Sequence, residues 1–109
     1  MAYDAELAAR VRALLIDERQ VAEKAMFGRR MFLVAGNLAV GVAGDELMVR
    51  VGVKARHATL SEPHSGECNL SKRPMYDWVL VGAGGLQTED ELDGWVRRGV
   101  VFARSLVKG

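Results

Sequence analysis

His57, His64 and Cys68 sit in one short stretch of the chain, with Asp77 a little beyond, and all four carry atoms that can ligate zinc. A structural zinc site wants four ligands and usually a tight Cys or His pair. No such pair is present, so these residues read as donors in a surface loop, with Cys68 a free and partly exposed thiol. Ser61, Ser65 and Ser71 lie beside the same histidines, but none stands in a turn of the kind that presents a nucleophile, and loop chemistry accounts for them. Gly82 and Gly84 in "VLVGAGGLQTEDELDGW" follow a strand-like run and precede a helix-like one, the order in which a dinucleotide site brings phosphate to a helix N-terminus. The third glycine of that pattern falls on Gln87, and Glu89, Asp90 and Glu91 would repel phosphate. Those carboxylates suit a helix start better than acid–base catalysis. The expectation is no catalytic residue, no metal and no cofactor.

Arg97, Arg98 and Arg104, with Lys108 beyond, could touch a phosphate backbone, yet the same residues complement the negative end of a helix. A formal net charge of +1 supplies no field that gathers nucleic acid, so direct nucleic-acid binding stays a weak alternative.

The elements that must position these residues follow from length and pattern. A chain of 109 residues, half of them hydrophobic and 27% charged, suits one folded domain, here residues 1–109. Asp4 and Glu6 stand where a secretory leader needs basic residues, and no apolar run could cross a membrane. With a single cysteine, a cytoplasmic setting is expected, with no membrane partner. Leu7, Val11, Leu14 and Leu15 recur at helical spacing behind Asp4, a helix N-cap. Gly36-Asn37 and Gly44-Asp45 read as two-residue hairpin loops, giving a three-stranded antiparallel meander. "VKARHATLS" suits a short helix, "EPHSGECNLSKRP" a loop and "MYDWVLV" a further strand. Thr88 and Glu91 form a capping box, and Leu92, Trp95, Val96, Ala103 and Leu106 make the stripe of a final helix. The fold class is α+β, with helices against an antiparallel sheet.

Counting outward from those turns, Leu33 faces Val40 and Val40 faces Val49, while Phe32 faces Gly41 and Gly41 faces Met48. One face is then Met31, Leu33, Ala35, Leu38, Val40, Val42, Leu47, Val49 and Val51, all apolar and packed on helices. The other holds Arg30, Phe32, Val34, Gly41, Met48 and Arg50, with Ala39, Ala43 and Glu46. An apolar centre with a charged border suits a protein partner or a homodimer. The alternative is that the chain covers this face itself, with Met26-Phe27 or the Cys68 loop. On the first reading, a carboxylate at Val40 prevents folding and one at Phe32 spares it.

The run "KAMFGRRMFLVAGNLAVGVAGDELMVRVG", with "SKRPMYDWVLV" and "DELDGWVRRGVVFARSL", resembles the N-terminal domain of the TfoX/Sxy family of competence regulators. Its most specific parts are Met26-Phe27-Gly28, Leu47 to Val51, Arg73-Pro74-Met75 and the helix around Trp95. The resemblance implies a stand-alone α+β domain, similar in architecture to small secretion chaperones, with no catalytic residue to carry over. It also implies a non-enzymatic interaction module, regulatory through protein contacts. A nucleic-acid-binding accessory protein, or an unrecognised small-molecule enzyme, is the alternative.

Overall fold

The run Met31-Phe32-Leu33-Val34 is apolar at every position, so its composition allows either face to be buried and only strand pairing decides. The computed structural model describes residues 3–70 and 75–107. In it β2 (Arg29–Val34) lies between β1 (Val21–Met26) and β3 (Asn37–Ala43). With β4 (Glu46–Arg50), β5 (Ser65–Glu67) and β6 (Trp78–Val81) they form one sheet of order β1-β2-β3-β4-β6-β5, antiparallel throughout. Three helices complete the α+β fold: α1 (Ala5–Leu14), α2 (Val53–Leu60) and α3 (Glu89–Ser105).

The meander has four strands, one more than the turn signals indicated. Phe27 (φ 55°) and Gly28 (φ 75°) make the additional hairpin, joining Met26 to Arg29. The loop expected at Gly36-Asn37 is instead Ala35-Gly36, with φ of 51° and 82°, as a two-residue turn with two left-handed positions requires. Gly44-Asp45 is the loop where expected. β5 also falls inside the segment read as loop.

Val40 faces Val49 and Gly41 faces Met48, as the turn count gave. Between β2 and β3 the count fails. Leu33 pairs with Leu38 but Phe32 pairs with Val40, which leaves Ala39 as an extra residue, a bulge. Moving the turn by one position preserves which residues share a face, whereas one extra residue reverses it. Phe32 and Val34 therefore join Val40, Val42, Leu47 and Val49 under the helices, and Met31 and Leu38 turn to the other side. Phe32 is 1% exposed.

The helices close that face. Asp4 caps α1, its carboxylate accepting from the N–H groups of Glu6 (2.9 Å) and Leu7 (3.1 Å). Leu7, Ala8, Val11 and Leu15 pack inward. Thr88 and Glu91 cap α3 reciprocally, and Leu92, Trp95, Val96, Val100 and Ala103 are buried; Leu106, past the end of the helix, is 41% exposed and leaves the expected stripe. α3 lies close to the sheet because Gly99 has no side chain. A Cβ there would stand 2.4 Å from the carbonyl oxygen of Ala39, the bulged residue. At the edge of the sheet, Glu23 of β1 binds Arg12 of α1 and Arg30 of β2, and these hydrogen bonds hold its carboxyl down at about 2.

Three outcomes follow. A carboxylate at Phe32 should abolish the cooperative melt as thoroughly as one at Val40, since burying it costs several kcal/mol, about the stability of a small domain. Gly99→Ala should lower stability by about 1–3 kcal/mol through overpacking, whereas Gly94→Ala on the same helix, with nothing within 4 Å of the new Cβ, should raise it by about 0.5–1 kcal/mol. Thermal denaturation of the pair checks the opposite signs. Because folding lowers the Glu23 pKa from 4.5 to about 2, its contribution is complete above the unfolded value and is lost as pH falls through the folded one. Glu23→Gln should thus be less stable than the parent at pH 7, with the difference shrinking between about pH 4.5 and 2 in denaturant titrations.

Candidate functional site

The six residues expected to share an open face are divided between two. Arg30 reaches Glu23 at the helix side, and Phe32 and Val34 are core. Gly41 lies under Met31 and Met48, and Met48 belongs to a second buried cluster with Met31, Cys68 and Trp78. Met26, Leu70 and Met75 pack over that cluster, so the chain itself covers the second face, with Met26 and the segment around Cys68. Arg50 is half-buried, its guanidinium 6.0 Å from the Trp78 ring centre and 5.4 Å from that of Phe102, with Asp77 accepting at 3.1 Å. It joins the end of β4 to α3.

The other chemistry-bearing residues are spent on structure. His64 (φ 67°) accepts from the Gly82 N–H at 2.8 Å, and its ring fills the space a side chain at Gly84 or Gly85 would need. The glycine-rich turn is thus a seat for an imidazole, and the capping box occupies donors at the start of α3. Ser65 donates to the Thr59 and Glu62 carbonyls. His57 is exposed on α2, Asp77 pairs with Arg50 and Cys68 is buried on the far face, so the four proposed ligand atoms do not converge. Burial raises the Cys68 pKa; the partly exposed thiol expected from sequence is 2% exposed. Ser71, Arg73, Pro74 and Lys108 lie outside the described residues.

The surface with the features of a binding site is elsewhere, in the seam between α2 and α3. A groove of about 600 Å³ opens there over Val51, with Ala55 and Thr59 on one wall and Gly94, Val101, Phe102 and Ser105 on the other. Among the described residues, Arg97 and Arg98 are its only charged lining residues. Val101 is 63% exposed, and Val53 at the start of α2 is similarly open. α2 buries only Thr59, whose hydroxyl donates to the Ala55 carbonyl at 2.8 Å. Gly52 (φ 87°) starts the helix and leaves room for the Phe102 ring, 2.4 Å from where a Cβ would stand. At the other end Glu62 accepts both Arg98 guanidinium bonds, at 2.5 and 2.7 Å, which holds the Glu62 carboxyl below its ordinary range. Arg98 also covers the Trp95 ring at 4.3 Å. The groove thus has fixed ends and apolar walls.

Sequence reasoning missed this groove because Val101 reads as one more apolar residue beside Val100. The only available signal was its position off the buried stripe, with Gly94, Arg97 and Ser105 on the same outer side of the helix.

Among the described residues no helix is long and apolar enough to cross a membrane, and no three His, Cys, Asp or Glu side chains are grouped to hold a metal ion. No curated protein and no solved structure matches the chain. The family model for the TfoX N-terminal domain matches residues 13–103, which takes in all six strands, α2 and most of α3. By that match, and by the α+β sheet it spans, the chain belongs to the TfoX N-terminal domain family.

Proposed function

We propose that this domain is a regulatory interaction module that receives a protein partner in the α2–α3 groove, the partner supplying an amphipathic segment with an apolar face and flanking carboxylates. Its family is a non-catalytic one of regulatory, competence-related domains. The observation that carries the reading is the groove lining: among the described residues, apolar or small side chains and no charge except two arginines. An apolar strip at the centre supplies affinity and the charged lip supplies orientation. Gly94, Ala55 and Ser105 are small enough for a helix to approach closely. Arg97 is 55% exposed, and its nearest carboxylate, Asp93, is 3.4 Å away, so an incoming carboxylate can compete for it.

Arg98 and Arg104 are poorly placed for nucleic acid. Each is held by a carboxylate of this chain, Glu62 and Glu18, so binding phosphate through them means giving up those pairs, and Arg97 alone supplies a single contact.

The test is a photo-crosslinking side chain at position 101, used in the native cell and followed by mass spectrometry of the adduct. The expected product is a heterologous adduct on an apolar segment flanked by Asp or Glu. A peptide of that segment should bind the purified domain, lose about tenfold in affinity when its carboxylates are made amides, and lose binding to Val101→Glu. Val101→Glu itself should melt within about 0.5 kcal/mol of the parent, as an exposed substitution does. Binding of the peptide undiminished by Val101→Glu refutes the groove. Salt-dependent retention of DNA lost in Arg97→Ala and Arg98→Ala moves the reading to nucleic acid, and a self-adduct moves it to a dimer.

A further inference from the structure

Four of the five methionines and the only cysteine come together on the face of the sheet away from the helices. Met31, Met48, Cys68 and Trp78 make one buried cluster, with Met26 and Met75 packed against it. Cys68 Sγ is 3.7 Å from Met75 Sδ. The thioethers of Met31 and Met48 meet over Gly41, where a Cβ would lie 2.3 Å from one sulfur and 3.4 Å from the other. Beside that pair a cavity of about 160 Å³ is lined by Met26, Met31, Met48, Met75, Trp78 and Arg29, with Cys68 outside its lining and reaching it through Met75. Methionine fills irregular gaps well, but gap filling does not require the sulfur atoms themselves to be neighbours.

We propose that this cluster binds one thiophilic monovalent cation of the Cu(I) class, with Cys68 and Met75 as paired ligands and a thioether of Met31 or Met48 completing the coordination. Thiolate and thioether ligands select soft cations over hard ones. Two sulfurs 3.7 Å apart can both reach one ion through metal–sulfur bonds of about 2.3 Å. In the binding step the Cys68 S–H bond breaks, a sulfur–metal bond forms with the same electron pair, and the proton passes to solvent. The ion keeps its oxidation state. One positive charge replaces another, so binding leaves the net charge of the site unchanged. A divalent zinc ion would leave a net charge there beside Arg29, which lines the same cavity, and would lack imidazole or a second thiolate; His57 and His64 are exposed elsewhere.

The test uses reduced full-length protein titrated with Ag(I), and with Cu(I) under anaerobic conditions against a competing chelator. One ion per chain is expected, with thiolate-to-metal absorption in the near ultraviolet. Cys68→Ser should weaken binding about a hundredfold and Met75→Leu, a volume-conserving change, about tenfold. The combined Met31→Leu, Met48→Leu and Met75→Leu variant should bind no better than a simple thiol, and melting of each metal-free variant shows whether it is folded. If the triple variant does not fold, Met75→Leu alone decides. Binding by the parent no tighter than by glutathione, Met75→Leu binding as tightly as the parent, or Zn(II) competing on equal terms would each overturn the proposal.

Discussion

The fold depends on a contact made by backbone atoms on both sides: Gly99 resting on the carbonyl of Ala39. Ala39 is the bulged residue of β3, and the bulge is what sends Phe32 and Val34 to the same side as Val40 and Val42. Without the extra residue that side would receive Met31 and Leu33 instead, and the ring of Phe32 would face away from the helices. Without glycine at position 99 the helix would stand off from the strand by the thickness of a methyl group, and Val96, Val100 and Ala103 would lose their contacts together. Helix position and strand register are therefore one constraint expressed at two places in the sequence.

The consequence on the other side is a sheet buried on both faces in a small protein. The helices cover one; Cys68, Leu70, Met75 and Met26 cover much of the other with flexible, polarizable side chains. Arg50 connects the two layers at one end, stacked between Trp78 and Phe102 and held by Asp77. A cation between two aromatic rings contributes roughly 0.5–2 kcal/mol depending on desolvation, and here it also sets the floor from which α2 departs at Gly52.

What was legible in the sequence was whatever a local signal specifies. Asp4, the Thr88–Glu91 box and the stripe from Leu92 to Ala103 gave the long helices, because caps and helical periodicity act within a turn or two. The Gly44-Asp45 loop and the pairing of β3 with β4 were legible for the same reason. The β2–β3 register was not, since every residue from Met31 to Val34 is apolar and alternation carries no information there. The signal that breaks the tie, Gly99, is about sixty residues away in the chain and reads as an ordinary helix glycine. β1 was hidden by its own composition: Glu23 looks like a solvent residue, yet it is a partly buried anion held between Arg12 and Arg30. Arg30, Phe32 and Val34 were assigned to the face of Gly41 and Met48 by that register, and their separation from those two is what moved the candidate site.

With both faces of the sheet occupied, one stretch of apolar surface in this TfoX-family domain remains in the seam between α2 and α3. α2 buries little of itself; Gly52 gives it a sharp start against Phe102, and the Arg98–Glu62 pair secures the loop after its last turn. Between those points Ala55 and Val53 face solvent beside Val101. Along its length α2 is held by Arg56, which pairs with Glu67 and covers the Tyr76 ring, so the helix is fixed on its sheet side and open on the side that faces α3. His64, seated against Gly84 and Gly85, and Ser65, bonded to the Thr59 and Glu62 carbonyls, fix the segment that follows α2, so residues that resemble catalytic parts here position one wall of the groove.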